Sequence, residues 1–298
     1  MRFRPLFAAG GVALGVSVLP LTTVARPHPT AAVPAAIVIG HRGADTRAPE
    51  NTLASADTAH RLGVDWVEND VQSTRDGRLV VVHDATLERT TDAPARYPGH
   101  SPWKVADFTL AEVQRLDAGR WFGARFAGER VPTLDAFLRR VDDNRQNLLL
   151  EIKNPAQHPH LARTIAERLR ADGWLDGDHT ARRLMVQSFD ADALREFHGL
   201  CPAVRTGLLG NPPLTALDRY TPYVDTVNPD ARRLPSGYLG ALHGRRGSHG
   251  RPLESYPWTV DDPAAALELT RLGADGVISD RPDTVRGALD GAARPAHR

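Results

Sequence analysis

The sequence predicts an α/β fold with a mostly parallel sheet, arranged as a (β/α)8 barrel. Two observations lead to it. Short runs of β-branched residues alternate with helical patterns after residue 35, as in folds where helices connect parallel strands. Polar residues also end several of these runs, which is where such barrels carry their functional groups. With 298 residues, 41% of them hydrophobic, the chain can bury a large core without disulfides or a structural metal.

The N-terminus has the composition of a secretory signal peptide. Arg2 and Arg4 precede an uncharged apolar run over residues 5–24, and a polar, proline-rich stretch follows. We expect residues 1–25 to be removed, with cleavage as late as residue 35 as a second choice. The run contains glycines and two prolines, so an uncleaved membrane anchor is the minor alternative. The mature protein is therefore expected to be secreted, with no stable membrane span.

Charge and cysteine content exclude several classes of protein. Lys and Arg number 37 against 36 Asp and Glu, a formal net charge of +1, which offers no field for holding nucleic acid. The single cysteine, Cys201, excludes an internal disulfide and a cysteine-based zinc site, and we expect it to be buried. The oligomeric state stays open.

The predicted elements fill one domain over residues 36–288, followed by a polar tail over 289–298. The first helix should begin at Asn51 or Thr52, which can cap it, and end at Gly63. Nine strands and several helices are predicted: strands Ala36–Gly40, Asp65–Gln72, Leu79–His83, Leu148–Lys153, Leu184–Phe189, Val204–Leu209, Val224–Asn228, Tyr256–Val260 and Gly276–Ser279; helices Thr52–Leu62, Leu134–Val141, Leu161–Ala171, Asp192–Leu200 and Pro263–Leu272.

Nine strands are predicted, one more than an eight-stranded barrel needs. The extra strand is explained by a predicted β-hairpin that joins the second and third strands. Asp76-Gly77 between two apolar runs is a strong signal for a two-residue turn, and no helix is available for a parallel crossover. A two-residue turn would place Asp70 opposite His83. Whether the third strand belongs to the barrel wall is left open.

Carboxylates at the strand ends indicate a metal site. Glu68 and Asp70 share one face of the second strand, and Glu151 ends the fourth. Three converging carboxylates repel unless a cation holds them, and oxygen ligands favour Ca²⁺ or Mg²⁺ over Zn²⁺. A buried ion pair such as Glu151 with Arg42 is the alternative, but several strand ends sharing the pattern favour one divalent cation.

Other strand-end residues suit phosphoryl chemistry. His41 and His83 can serve as general acid and general base near neutral pH. Arg42 and Lys153 supply positive charge for a phosphate. Neither a glycine-rich nucleotide loop nor a Gly-x-Ser-x-Gly elbow is present.

These motifs together resemble the glycerophosphodiester phosphodiesterases, in the superfamily of phospholipase C-like phosphodiesterase barrels. The resemblance spans about residues 39–285 in family order, and its motifs are His41-Arg42-Gly43, Pro49-Glu50-Asn51-Thr52, Glu68-Asn69-Asp70-Val71, Val81-Val82-His83-Asp84, Glu151-Ile152-Lys153, Gln187-Ser188-Phe189, Trp258-Thr259-Val260 and Asp275–Pro282. It implies an irregular TIM barrel, one Ca²⁺ or Mg²⁺ ion, and hydrolysis of glycerophosphodiesters to glycerol 3-phosphate and an alcohol.

The resemblance also implies a role for each matching residue. His41 and His83 would be the acid/base pair, with His41 expected as the first base and His83 as the first acid. Glu68, Asp70 and Glu151 would hold the metal, Arg42 and Lys153 the phosphate, and Glu50 and Gln187 would support the site. Trp258 would either stack on the glycerol or fill the barrel mouth.

Some segments depart from the family pattern. Residues 86–132 are short for the substrate-covering insert of some members, and Asp261 stands where many members have Asn. Residues 236–251, rich in Gly, Arg and His, are expected to form a mobile loop in which His243 and His249 are solvated rather than metal ligands.

The resulting hypothesis is a secreted, metal-dependent phosphodiesterase acting on a small glycerophosphodiester. One alternative keeps the site but enlarges the substrate to lysophospholipids or sphingolipids, which an apolar loop near the barrel mouth would favour. A second is a binding protein on the same barrel that has lost catalysis, yet none of the matching histidines or carboxylates is missing.

Overall fold

Eight strands and nine α-helices are present in the computed structural model, which describes residues 36–293. The predicted signal peptide and residues 294–298 of the predicted tail lie outside the described residues. The strands are β1 Ile37–Gly40, β2 Trp66–Ser73, β3 Leu79–Val81, β4 Asn147–Ile152, β5 Leu184–Ser188, β6 Arg205–Leu209, β7 Thr226–Asn228 and β8 Gly276–Ser279. The helices are α1 Leu53–Arg61, α2 Ala93–Arg96, α3 Leu110–Val113, α4 Leu134–Asp143, α5 Leu161–Ala171, α6 Ala191–Leu200, α7 Tyr238–Leu242, α8 Pro263–Arg271 and α9 Pro282–Ala293.

The strands form a parallel barrel wall in the order β7-β6-β5-β4-β2-β1-β8. This confirms the predicted α/β fold and the irregular TIM barrel. β3 pairs only with the end of β2, in antiparallel orientation, and stands off this path. The surplus strand of the sequence analysis is therefore a hairpin arm attached to the wall.

The hairpin turn differs from the prediction by one residue. Val71 pairs with Val81, and the Thr74 N–H donates to the Arg78 carbonyl at 2.9 Å, so the loop has three residues and ends on Gly77 at φ 73°. Asp70 is consequently opposite Val82, whose N–H donates to the Asp70 carbonyl at 2.9 Å. The predicted pairing of Asp70 with His83 is wrong because the glycine takes the left-handed position that a three-residue loop needs.

The barrel is closed between β7 and β8 by an irregular segment, where the sequence predicted a strand over Tyr256–Val260. On the β7 side the Trp258 N–H donates to the Pro229 carbonyl at 3.0 Å, and on the β8 side the Ile278 N–H donates to the Pro257 carbonyl at 2.9 Å. Pro257 has no N–H to donate to a neighbouring strand, so this segment forms only isolated β-bridges and no continuous strand. The strand prediction is wrong in type, although the segment takes the eighth place in the wall.

Two apolar layers surround the wall. Leu148 and Leu150 of β4 face outward into the cluster shared with the helices, whereas Leu149 between them faces the barrel interior with Ile39 and Met185. The alternation continues into the polar end of the strand, so Glu151 follows Leu149 into the interior. The packing of the wall thereby directs the strand-end carboxylates into the barrel mouth.

Most predicted helices are confirmed within a few residues. The Thr52 hydroxyl caps α1 by accepting from the Ser55 N–H, and Gly63 follows the helix at φ 74°. The last helix, α9, was not predicted; it runs to Ala293 with Leu289 buried, so the domain extends past residue 288. Cys201 is buried, as expected.

The segments that depart from the family pattern are ordered. Residues 86–132 carry short helices around a cluster of their own that includes Phe108 and Leu116. The expected mobile loop over 236–251 contains α7, whose Tyr238 and Leu242 are buried. That expectation is wrong because apolar residues anchor the segment. Its histidines contact carboxylates, His243 with Asp275 and His249 with Asp225, each at 3.0 Å, and both side chains remain partly exposed.

Within residues 36–293, no helix combines the length and the apolar character that a membrane span requires.

Asn69 generates a prediction about stability. It lies on the outward face of β2 between Val67 and Val71, is fully buried, and neither atom of its amide has a hydrogen-bond partner among the described residues. A buried unsatisfied polar group costs about 1–3 kcal/mol. Asn69→Val should raise the free energy of unfolding by about 1 kcal/mol, measured by urea denaturation.

The comparison variant is Asn69→Ala, which removes the amide but leaves a void, so it should gain less than the valine variant. A lower urea midpoint for Asn69→Val than for the unchanged protein would show that the amide is satisfied.

Candidate active site

The carboxyl ends of the barrel strands surround a cavity of about 120 Å³. Most of the predicted site residues line it. The lining comprises His41, Arg42, Glu68, His83, Glu151, Lys153, Gln187, Phe189, Leu209, Trp258, Thr259 and Ile278. Of the other predicted residues, Asp70 lies beside Glu68 and Glu151, and Glu50 contacts Arg42. The structure therefore brings together the whole set that the sequence singled out.

Three buried carboxylates form the base of the site. One oxygen each of Glu68, Asp70 and Glu151 lies within 4.8 Å of the others. β2 alternation puts the first two on one face, and the β2–β4 register places Glu151 directly beside Asp70. All three residues are at most 5% exposed. Such a set is expected to repel itself unless positive charge is close.

Burial and mutual repulsion shift the pKa values of these carboxyls. Burial and the charge of Asp70 raise the pKa of Glu68 well above its usual value and that of Glu151 to about 8. Burial alone would raise the Asp70 pKa as well, but the charges of Lys153 and Arg42 and the Asn51 hydrogen bond act together to lower it. At neutral pH the cluster keeps protons that a cation would displace.

The donor set fits a divalent cation. The Asp70 Oδ1 and Glu151 Oε1 atoms are buried, and neither has a well-aligned hydrogen bond among the described residues, although the Lys153 ammonium lies close to both. Carboxylate oxygens are the ligands that Ca²⁺ and Mg²⁺ use. Glu68, Asp70 and Glu151 are therefore the residues that could hold one such ion.

Lys153 and Arg42 are the positive charges next to the carboxylates. The Lys153 ammonium lies 2.8 Å from Glu151 Oε1 and 3.2 Å from Asp70 Oδ1. Arg42 is 2.8 Å from Glu50 Oε1 and 3.5 Å from Asp70 Oδ2. The alternative considered from the sequence, an ion pair of Glu151 with Arg42, is not formed among the described residues, because Lys153 is the cation of Glu151.

The turn after β1 is built to place Arg42 and Asn51. Arg42 has φ 52° and Gly43 φ 96°, and the Arg42 N–H donates to Glu68 Oε2 at 2.9 Å. A Cβ at Gly43 would lie 2.3 Å from the Ser55 hydroxyl, so only glycine fits. Asn51 donates from its amide to Asp70 Oδ2 at 2.8 Å and accepts from the Asp70 N–H at 3.1 Å. Sequence reasoning treated Asn51 as a helix cap and missed this positioning contact.

Each histidine has its own carboxylate partner. His41 Nδ1 lies 2.5 Å from Asp280 Oδ1, and His83 Nδ1 lies 2.6 Å from Asp84 Oδ1. These contacts leave the Nε2 atom of each ring available to the cavity. Burial lowers the pKa of His83. Asp84 and Asp280 were missed as functional residues, although each lies within a quoted motif.

Asp261 and Asp45 support the His41 side. Asp261 accepts from the Asp280 N–H at 2.8 Å and from the Ser279 hydroxyl at 3.0 Å, contacts that the oxygen of the more common Asn could also accept. Asp45 Oδ2 is 4.0 Å from His41 Nδ1, and burial together with the charge of Asp280 raises the pKa of Asp45 to about 8. Asp45 therefore carries a proton at neutral pH.

Two aromatic side chains form the outer wall of the cavity. The Trp258 indole N–H donates to the Asn228 carbonyl at 2.8 Å, and its ring meets Phe189 edge-on at 5.6 Å. Phe189 is 54% exposed, unusual for a large apolar residue. Gln187 is buried and accepts from the Asn228 amide at 2.9 Å.

Comparison with known proteins places this geometry in a family. Residues 41–284 match the Glycerophosphoryl diester phosphodiesterase family. The chain is 33% identical over 253 residues to the glycerophosphodiester phosphodiesterase YhdW of Bacillus subtilis, covering 83% of this chain and 96% of that protein. It is also 33% identical to a glycerophosphodiester phosphodiesterase of Caldanaerobacter subterraneus, covering 84% of this chain and 96% of that protein.

Solved structures agree with the sequence comparison. An Oleispira antarctica phosphodiesterase in complex with the product sn-glycerol-3-phosphate superposes with a TM-score of 0.73 at 28% identity, over 85% of this chain and 96% of that one. A glycerophosphoryl diester phosphodiesterase from Silicibacter pomeroyi gives 0.69 at 29% identity, over 90% and 96%. The chain belongs to the glycerophosphodiester phosphodiesterase family of phosphoric diester hydrolases.

Proposed function

We propose that this phosphodiesterase is secreted and metal-dependent, and that it hydrolyses small glycerophosphodiesters with His41 and His83 as its acid/base pair. One observation carries the proposal: three buried carboxylates, two carboxylate-bound histidines, Arg42 and Lys153 surround the same cavity. Positive charge for phosphate oxygens and two proton carriers are the groups that phosphodiester cleavage requires.

The size of the cavity supports a small substrate. A cavity of about 120 Å³ would take the glycerol and the phosphate of a substrate, and an acyl chain would have to extend beyond its mouth. The solved relative from Oleispira antarctica holds sn-glycerol-3-phosphate, which is the product that hydrolysis of a glycerophosphodiester would leave here. The lysophospholipid alternative would need an apolar surface beyond the mouth. Trp121 is 42% exposed but does not line the cavity, and its indole N–H donates to the Ala118 carbonyl. Phe189 is the exposed apolar residue at the mouth, at 54%.

The proposed metal ion is one Ca²⁺ or Mg²⁺ held by Glu68, Asp70 and Glu151. When bound, such an ion neutralises charge that develops on phosphate oxygens. Arg42 would bind the phosphate by hydrogen bonds from its guanidinium while Glu50 holds that group in place. Lys153 would contribute a point charge to the same phosphate.

The histidine environments favour an order opposite to the one expected from the sequence. Burial lowers the pKa of His83, so its ring is neutral at pH 7 and its Nε2 can accept the proton of the attacking oxygen. Asp84 holds Nδ1 and so selects the tautomer with Nε2 free. His41, fixed by Asp280, would then deliver a proton to the departing alkoxide. The attacking oxygen is either the glycerol 2-hydroxyl, which gives a cyclic phosphate that water opens, or water itself.

Trp258 and Phe189 would contact the glycerol or the leaving alcohol. The indole ring is held by its hydrogen bond to Asn228, so it offers a fixed apolar surface for the carbon atoms of a glycerol.

Secretion is proposed from the composition of residues 1–25.

Activity on a panel of glycerophosphodiesters tests the proposed function. The purified protein should release glycerol 3-phosphate from glycerophosphocholine or glycerophosphoethanolamine, detected by a coupled assay. Chelation should abolish turnover and added Ca²⁺ or Mg²⁺ should restore it, because the carboxylates need a cation to bind an anionic substrate. Turnover confined to long-chain lysolipids, or full turnover after exhaustive chelation, would contradict the proposal.

Metal binding should release protons near neutral pH. The raised pKa values of Glu68 and Glu151 mean that a cation must displace their protons at pH 7. Affinity should therefore rise from pH 6 through the Glu151 pKa of about 8. Isothermal titration calorimetry in two buffers with different ionisation enthalpies measures the protons released.

The matched variants are Glu151→Gln, which should bind the cation more weakly, and Glu167→Gln on the exposed face of α5, which should bind it normally. A pH-independent affinity would remove the carboxyl cluster from the metal site.

Comparing substrates with poor and good leaving groups shows which histidine is the general acid and which is the general base. A nitrophenyl ester of glycerol phosphate needs little help from a general acid. His41→Ala should therefore lose about 10²–10⁴-fold in kcat/KM on the natural diester but far less on the activated ester. His83→Ala should be severely impaired on both.

His60→Ala, at an exposed position of α1, is the control and should behave as the unchanged protein. If His83→Ala is spared on the activated ester and His41→Ala is not, the order is the reverse.

A further inference from the structure

Arg89 lies between two carboxylates behind the active site. Its Nε and Nη2 atoms donate to Asp84 at 2.6 and 3.1 Å. Its Nη1 and Nη2 atoms donate to Glu50 at 2.6 and 2.8 Å. The guanidinium thus makes a two-point contact with each carboxylate. Sequence reasoning did not single out Arg89, which lies in the short-helix segment after β3.

Each of these carboxylates also holds a residue of the proposed chemistry. Asp84 Oδ1 lies 2.6 Å from His83 Nδ1, and Glu50 Oε1 accepts from Arg42 Nη1 at 2.8 Å. An unbroken series of hydrogen bonds therefore runs from His83 to Arg42. We call Asp84, Arg89 and Glu50 the guanidinium bridge.

The bridge also sets the charge that His83 experiences. Burial disfavours ionisation of Asp84, but hydrogen bonds from Arg89 lower the Asp84 pKa to about 2. Asp84 is therefore a carboxylate whose charge is already compensated, and it stabilises a protonated His83 less than a free carboxylate would. The other charged groups that face His83 are Asp70 on β2, Arg42 after β1 and Lys153 after β4.

We propose that Arg89 is a positioning residue for the phosphodiesterase reaction, which orients His83 through Asp84 and Arg42 through Glu50. The inference rests on the proposed function of those two side chains. Arginine suits the task because its planar fork presents donors to two carboxylates at once. A lysine ammonium keeps the charge but cannot reproduce both two-point contacts.

A purely structural role for Arg89 is the competing explanation. The side chain is 43% exposed, and the residue could simply tie the segment after β3 to the turn after β1. Stability would then change, but neither the kinetic parameters nor the titration of His83 would. The two explanations therefore differ in measurable quantities.

Three variants test the role. Arg89→Gln should lower kcat/KM about tenfold or more, with a raised KM because Arg42 loses the support of Glu50. It should also move the acid limb of the kcat/KM profile to higher pH, because an uncompensated Asp84 favours protonated His83. Arg89→Lys should return that limb towards its original position while KM stays raised. Arg96→Gln breaks an exposed pair with Asp92 in the same segment and should change nothing.

The titration of the His83 ring, followed by NMR, does not depend on turnover. Its signal is identified by its loss in His83→Asn. The ring should titrate at higher pH in Arg89→Gln and at lower pH in Asp84→Asn. The Asp84→Asn variant removes the carboxylate between Arg89 and His83, and it tests the inference if the Arg89 variant does not fold.

The inference is overturned if Arg89→Gln or Asp84→Asn leaves both kcat/KM and the His83 titration unchanged, or if only the melting temperature falls. A shifted titration without turnover of any glycerophosphodiester by the unchanged protein would instead reject the proposed function while keeping the bridge.

Discussion

Electrostatic repulsion among three buried carboxylates is the constraint on which the rest of the site depends. Glu68, Asp70 and Glu151 converge because strand alternation and the β2–β4 register leave them no other direction. In a low-dielectric interior like charges this close cannot all ionise without compensation. Lys153 supplies part of that compensation and Asn51 fixes the most acidic of the three. A bound divalent cation would complete it, so the same repulsion favours a cation at this position.

A second set of charges compensates the groups that would handle protons. His41 meets Asp280, which is backed by a protonated Asp45. His83 meets Asp84, whose charge is already shared with Arg89. Each ring contacts one aspartate. The two aspartates differ in their own neighbours, because Asp280 lies beside the neutral Asp45 and Asp84 lies beside the positively charged Arg89. In the proposed reaction, that difference would make His83 the proton acceptor and His41 the proton donor.

The irregular parts of the barrel provide the remaining walls of the site. The three-residue turn at Gly77 keeps β3 outside the wall and brings His83 to the mouth just after the strand. The proline-interrupted segment between β7 and β8 closes the barrel and places Trp258 over the cavity. Regular strands at either place would have paired fully with their neighbours and carried their side chains elsewhere.

The sequence alone determined the fold class, the order of most elements and the residues that line the site. Periodicity and strand-end polarity are local properties, and Glu68, Asp70, Glu151 and the two histidines stand in motifs that local patterns reveal. Tertiary structure decided the rest. The turn length at Gly77 and the irregular closure at Pro257 depend on which partner strand is available. Asp280 and Arg89 make their contacts with His41 and Glu50 across 239 and 39 positions of the chain. No periodicity in a sequence encodes such contacts, because they arise only when the barrel closes and brings distant strand ends to one mouth.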